Sequence, residues 1–137
     1  MDTITYKENW NGKLLCDTFP DVRLPFQKYT TGTILEVQHE RIGFLGYAKV
    51  LSVQPFLFSQ ITDNMAYSVI GKPRTYLRKV LSDFYEGMKE DTKLVHIILA
   101  FTERNPATLH QLLEKQYNKF LAITPRANAY ADGPHIN

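Results

Sequence analysis

The stretch that most restricts what this chain can become runs from Thr33 to Val53, TILEVQHERIGFLGYAKVLSV. Two strand-like runs flank a polar reversal at His39-Glu40. In the first, Leu35 and Val37 alternate with Glu36 and Gln38, the period-two pattern of a strand with one buried face. The second is longer and less polar. Phe44, Gly46, Ala48 and Val50 fall on one face and Leu45, Tyr47, Lys49, Leu51 and Val53 on the other, which predicts cover on both. Gly46 and Ala48 leave space where strands curl inward or another backbone approaches closely. The pattern fits the antiparallel core of a small barrel; the buried central strand of a different sheet accounts for it equally well until the flanking elements are added.

At 137 residues, 44% hydrophobic and 22% charged, the composition is that of one domain with one core. Residues 1–122 are expected to form it, with the Gly/Pro/Asn-rich segment 123–137 as a flexible tail. A formal charge of +2 announces neither nucleic acid nor an anionic membrane, so a basic site must come from local clustering. Cys16 is the only cysteine, which excludes an internal disulfide and a multi-cysteine zinc site. No apolar run approaches the roughly twenty residues of a membrane span, and the cytoplasm is the expected location.

Ile4, Tyr6 and Trp10 can pin a leader to the domain, and Lys13 to Cys16 reads as a short strand. Asp17 to Pro25, broken by two prolines, reads as a loop carrying Asp17, Thr18, Asp21 and Arg23. Arg23 there serves either a ligand or a local carboxylate, with equal weight. Beyond Val53 the pattern turns helical: Thr62 is a good N-cap, Gly71 a stop, and Met65, Ala66, Val69 and Ile70 a core stripe. Lys72-Pro73 opens a second helix whose apolar face is Tyr76, Leu77, Val80, Leu81 and Phe84. Lys72, Arg74, Arg78 and Lys79 lie off that face as the one dense positive patch, either a phosphate-binding surface or an ordinary solvated face. Lys93 to Phe101 is a strand apolar enough to be buried on both faces, with His96 a structural histidine. Asn105 and Pro106 open a third helix whose Leu109, Leu112, Leu113, Tyr117, Phe120 and Leu121 are expected to pack on the barrel or on a second copy. The histidines are too scattered for a metal site, and no cofactor motif is present.

The order of these pieces, GYAKVLSV, then ITDNMAYSVIGKPRTYLRKVLSDFY, then KLVHIILAF, resembles the ASCH domain family, a branch of the PUA-like barrels, over roughly Lys13 to Glu103. FPDVRLP stands where members often carry a Phe-Thr-Thr-Ile-Arg-like segment, making Arg23 the matching arginine. The resemblance implies an α+β fold: a small PUA-like mixed β-barrel with flanking helices, an extra C-terminal helix, and a cleft lined by that arginine segment. Some ASCH-like proteins are amidohydrolases using Lys-x-x-Thr-x-Arg and a helical glutamate. Here those positions hold Thr18, Asp21, Arg23 and Val69, and Lys13 can replace the lysine only across an insertion.

The expectation is therefore a binding module for RNA or a nucleotide, with no catalytic residue, metal or cofactor assigned. Arg23, Asp21, Thr18, Lys28 and Tyr29 are its candidate ligand contacts, and Lys72, Arg74, Arg78 and Lys79 its candidate nucleic-acid surface. The alternative is a small hydrolase of modified nucleosides or RNA, with Asp17 or Asp21 as base. A homodimer through the third helix, broken by Leu112→Glu or Phe120→Glu, is a further reading.

Overall fold

The computed structural model describes residues 1–123, and the expected tail lies outside them but for Ile123. Strands β1 (Thr3–Tyr6), β2 (Thr18–Arg23), β3 (Ile34–His39), β4 (Gly43–Leu57) and β5 (Lys93–Arg104) form one sheet in the order β1-β3-β4-β5-β2. The β1/β3 pair is parallel and the other pairs are antiparallel. Helices α1 (Asp63–Ile70), α2 (Arg74–Phe84) and α3 (Pro106–Ile123) complete an α+β fold built on a curled half-barrel.

The hairpin forms as its alternation requires, with Leu35, Val37, Ala48 and Val50 fully buried. The second face is not covered: Lys49 and Leu51 are exposed, while Leu45, assigned to that face, is buried. Leu45 is the extra residue of β4 opposite the Val37–Gln38 step of β3, where the β3/β4 register shifts, and this bulge resets the alternation so that Leu45 and Val50 both point inward. Gly46 accepts the close backbone approach expected of it. At φ 147° it lies against β5, where an added Cβ would overlap the Glu103 carbonyl oxygen and sit 2.9 Å from Arg104 Cα.

Several expected elements differ. The leader supplies β1, with Ile4 and Tyr6 buried. Lys13 lies in a 3-10 helix, Trp10–Leu15, instead of a strand, because Asn11 and Gly12 turn the chain at positive φ and Asn9 Oδ1 accepts the Leu14 N–H at 2.8 Å. The loop with two prolines contains β2, an edge strand that tolerates Pro20 without a main-chain donor. β4 likewise runs past Pro55 to Leu57; β3 pairs with it only as far as Lys49, so Pro55 lies on a locally free edge. In β5, Val95, Ile97 and Leu99 are buried whereas His96, Ile98 and Ala100 are half-buried, so one face is the core face.

Thr62 caps α1 by accepting the Met65 N–H at 3.2 Å, and Gly71 ends it in the left-handed conformation. Asp63 Oδ1 then accepts the Arg74 N–H at 2.9 Å, which fixes the start of α2 against α1. The apolar residues form two clusters. One fills the curl with Ile4, Tyr6, Phe19, Leu35, Ile97 and Leu112 among others; the second joins α1 and α2 to Val22 and Leu94.

Candidate functional site

A cavity of about 220 Å³ opens at the seam between these clusters. Its apolar wall is Val69 and Ile70 of α1, Leu77, Val80, Leu81 and Phe84 of α2, and Val22 of β2; Trp10 stands at its side, its ring 6.1 Å from and nearly perpendicular to that of Tyr76. Tyr6, Lys13, Asp21 and Arg23 supply the polar end, and Lys7, Glu8 and Glu40 the remaining charges. The curl of the sheet creates this grouping by bringing β2 beside β1 although four other pairings separate them.

The polar end is built around Asp21. Its Oδ1 accepts the Val22 N–H at 2.8 Å and faces Lys13 Nζ at 3.3 Å, and its Oδ2 accepts from Arg23 Nε at 2.8 Å. Lys13 Nζ also donates to the Pro20 carbonyl at 3.2 Å. Burial pushes the Asp21 pKa upward, but the Lys13 and Arg23 charges outweigh burial and hold it well below the usual carboxylate range. Asp21 is therefore ionised and a poor proton acceptor. Burial lowers the Lys13 pKa, and the Asp21 charge opposes that only in part. The Arg23 guanidinium lies 4.7 Å from the Tyr6 ring centre, and its Nη2 donates to the Thr5 carbonyl at 3.0 Å. The Tyr6 hydroxyl is buried without a hydrogen bond of ordinary geometry; burial, then the Asp21 charge, raises its pKa.

Two of the expected ligand contacts, Asp21 and Arg23, meet in the cavity, while the other three lie elsewhere. Thr18 sits at the far end of β2, exposed and in register with Ala100. Lys28 Nζ donates to the Thr3 carbonyl at 2.7 Å. Tyr29 is in the core, its phenol pushed up to about 12 chiefly by burial, with Arg23 opposing. Asp17, the other carboxylate considered as a base, is exposed 3.8 Å from Arg104 Nη2 and outside the cavity lining.

The α2 cations also lie outside that lining, and two are paired: Arg78 with Glu90, its guanidinium stacked 4.6 Å from the Phe58 ring centre, and Lys79 with Asp83 at 3.7 Å. Lys72 lies 5.9 Å from the centre of the Tyr76 ring. Sequence reasoning missed Tyr6, Trp10 and the α2 wall as site residues. A tyrosine alternating into the core carries a hydroxyl that must go somewhere, and that was the available signal for Tyr6. Among the described residues no three His, Cys, Asp or Glu side chains converge as metal ligands, and no helix is long and apolar enough to cross a membrane.

No model of a known protein family matches the chain, and no curated protein matches it in sequence. In structure the chain is similar to protein EF3133 from Enterococcus faecalis V583, described under the family designation DUF984, with TM-score 0.58 and 10% sequence identity over 85% of this chain and 81% of that one. A likeness at that identity establishes a shared fold.

Proposed function

We propose that the chain is an ASCH-like binding module whose cavity takes the base of a nucleotide or of a single-stranded RNA. The observation that carries this is the cavity itself: an apolar wall ending on a buried cluster of both donors and acceptors. A cavity of about 150 Å³ holds benzene, so about 220 Å³ accommodates one substituted ring system. Trp10 and the α2 side chains provide faces for a planar ring, the usual chemistry of base recognition. Lys7, Lys13 and Arg23 are balanced by Glu8, Asp21 and Glu40, so the lining favours a neutral ring over a free anion.

Trp10, the only tryptophan of the chain, reports on the cavity directly. Titration with the four ribonucleosides and a mixed-sequence oligoribonucleotide is expected to give saturable quenching for at least one ligand. That binding should weaken about tenfold in Leu81→Ala, which strips the wall and is checked for folding by circular dichroism. No saturable response from any of these ligands would end the proposal.

A second reading, hydrolysis of N-acylated nucleosides, is favoured by Lys13: a buried amine of lowered pKa beside a cavity has the properties of a nucleophile or base. Turnover of acetylated cytidine that disappears in Lys13→Met would support it, and an inactive wild-type protein would exclude it.

A further inference from the structure

A second cavity, of about 130 Å³, lies between the β3/β4 turn, the segment after β1 and helix α3. Its chemistry is the opposite of the first. Lys7, Arg41, Lys115 and Lys119 face it against a single carboxylate, Glu8. Arg41, Lys115 and Lys119 form no ion pair among the described residues.

Its floor includes His39, which is 6% exposed at the end of β3. His39 Nδ1 accepts the N–H groups of Arg41 at 3.2 Å and Ile42 at 3.3 Å. With Nδ1 held as an acceptor, a neutral ring carries its proton on Nε2, which leaves that N–H as the donor His39 has to offer. The cations come from separate elements, Arg41 from the turn and Lys115 and Lys119, one helical turn apart, from α3. Folding therefore gathers like charges that repel one another, an arrangement that an anion relieves.

Both cavities include Lys7 and Glu8 in their linings. The cavities therefore adjoin along this dipeptide, and Glu40 of the first is flanked in sequence by His39 and Arg41 of the second. Lys7 stands nearer the first, its Nζ 5.2 Å from the Phe84 ring centre.

We infer that the second cavity is a phosphate subsite, and that the ligand is a phosphorylated one, its ring in the apolar cavity and its phosphate held by Arg41, Lys115 and Lys119 with His39 beneath. This rests on the base-binding reading above and adds to it what the neutral first cavity cannot supply, recognition of charge. The phosphate can belong to a free nucleotide or to an RNA chain.

Trp10 fluorescence titrations with the four ribonucleosides, their 5′-monophosphates and the corresponding dinucleoside monophosphates test this in the full chain. The phosphorylated ligands are expected to bind at least about tenfold more tightly than the nucleosides, with a gain that shrinks as salt rises. A gain confined to 5′-monophosphates points to a free nucleotide, and one shared by the dinucleoside monophosphates to a chain phosphate; either supports the subsite. In the double variant Arg41→Gln/Lys119→Gln the gain should vanish while nucleoside affinity stays within about twofold, with Lys72→Gln as the charge control. Nucleosides and phosphorylated ligands binding equally would overturn the subsite and leave the base-binding reading standing. A gain that persists in the double variant would overturn its location. Binding of neither class would remove both.

Discussion

Arg23 on the β2 edge of the sheet donates its Nη2–H to the main-chain carbonyl of Thr5 on the β1 edge, at 3.0 Å. That carbonyl is available because successive β1 carbonyls face opposite sides: the Tyr6 carbonyl accepts the Glu40 N–H, on the side of β3, while those of Thr3 and Thr5 accept from Lys28 and Arg23. Two cations thus cover main-chain acceptors of an edge strand that would otherwise be open to further pairing. The half-barrel is closed by side chains, and the guanidinium that closes it also lines the cavity.

Loss of this tie should be measurable. Arg23→Gln is expected to lower stability by about 2 kcal/mol in urea denaturation, the scale of hydrogen bonds from a charged donor in a partly exposed position. Arg23→Lys should recover only part of it, because one ammonium does not reproduce the fork that reaches both Asp21 Oδ2 and Thr5 O.

Acid should act through Asp21. Because its folded pKa is depressed, its contribution is fully present above the unfolded value of about 3.9 and is lost as pH falls through the lower folded value. Urea midpoints measured from about pH 5 down to about pH 2 should fall less steeply in Asp21→Asn than in the wild-type protein. Equal slopes would show that the Lys13–Asp21–Arg23 cluster adds nothing to acid sensitivity.

Gly46→Ala should cost about 3 kcal/mol or more, since positive-φ strain of roughly 1–3 kcal/mol adds to overlap with the Glu103 carbonyl. Gly32→Ala and Gly43→Ala, also at positive φ but with nothing within 4 Å of an added Cβ, should cost only about 1 kcal/mol. Thermal melts followed by circular dichroism would rank the three.

Helix α3 separates two effects that its sequence stripe merged. Leu112 is 1% exposed within the barrel core, so Leu112→Glu is expected to unfold the protein instead of dissociating a dimer. Leu113 and Tyr117 are exposed, and Leu113→Glu and Tyr117→Glu should leave the melting temperature nearly unchanged. If α3 joins two copies, light scattering should show a dimer for the wild-type chain and a monomer for Tyr117→Glu.

What the sequence determined by itself was local. Alternation at Leu35 and Val37, the Thr62 cap and the Gly71 stop each depend on a few neighbours, and each is found in the structure; the space left at Gly46 was also legible, though its partner, Glu103 of β5, was not. It also carried Asp21 and Arg23, though as parts of a loop. Tertiary structure decided the rest. A bulge against β3 placed Leu45 inside, an edge position allowed Pro20 in a strand, and the curl brought β1 to β2 so that Tyr6, Lys13, Asp21 and Arg23 share one cavity with α1 and α2. Strand order and curl arise from long-range burial, and no short window of residues contains the partners that the burial selects.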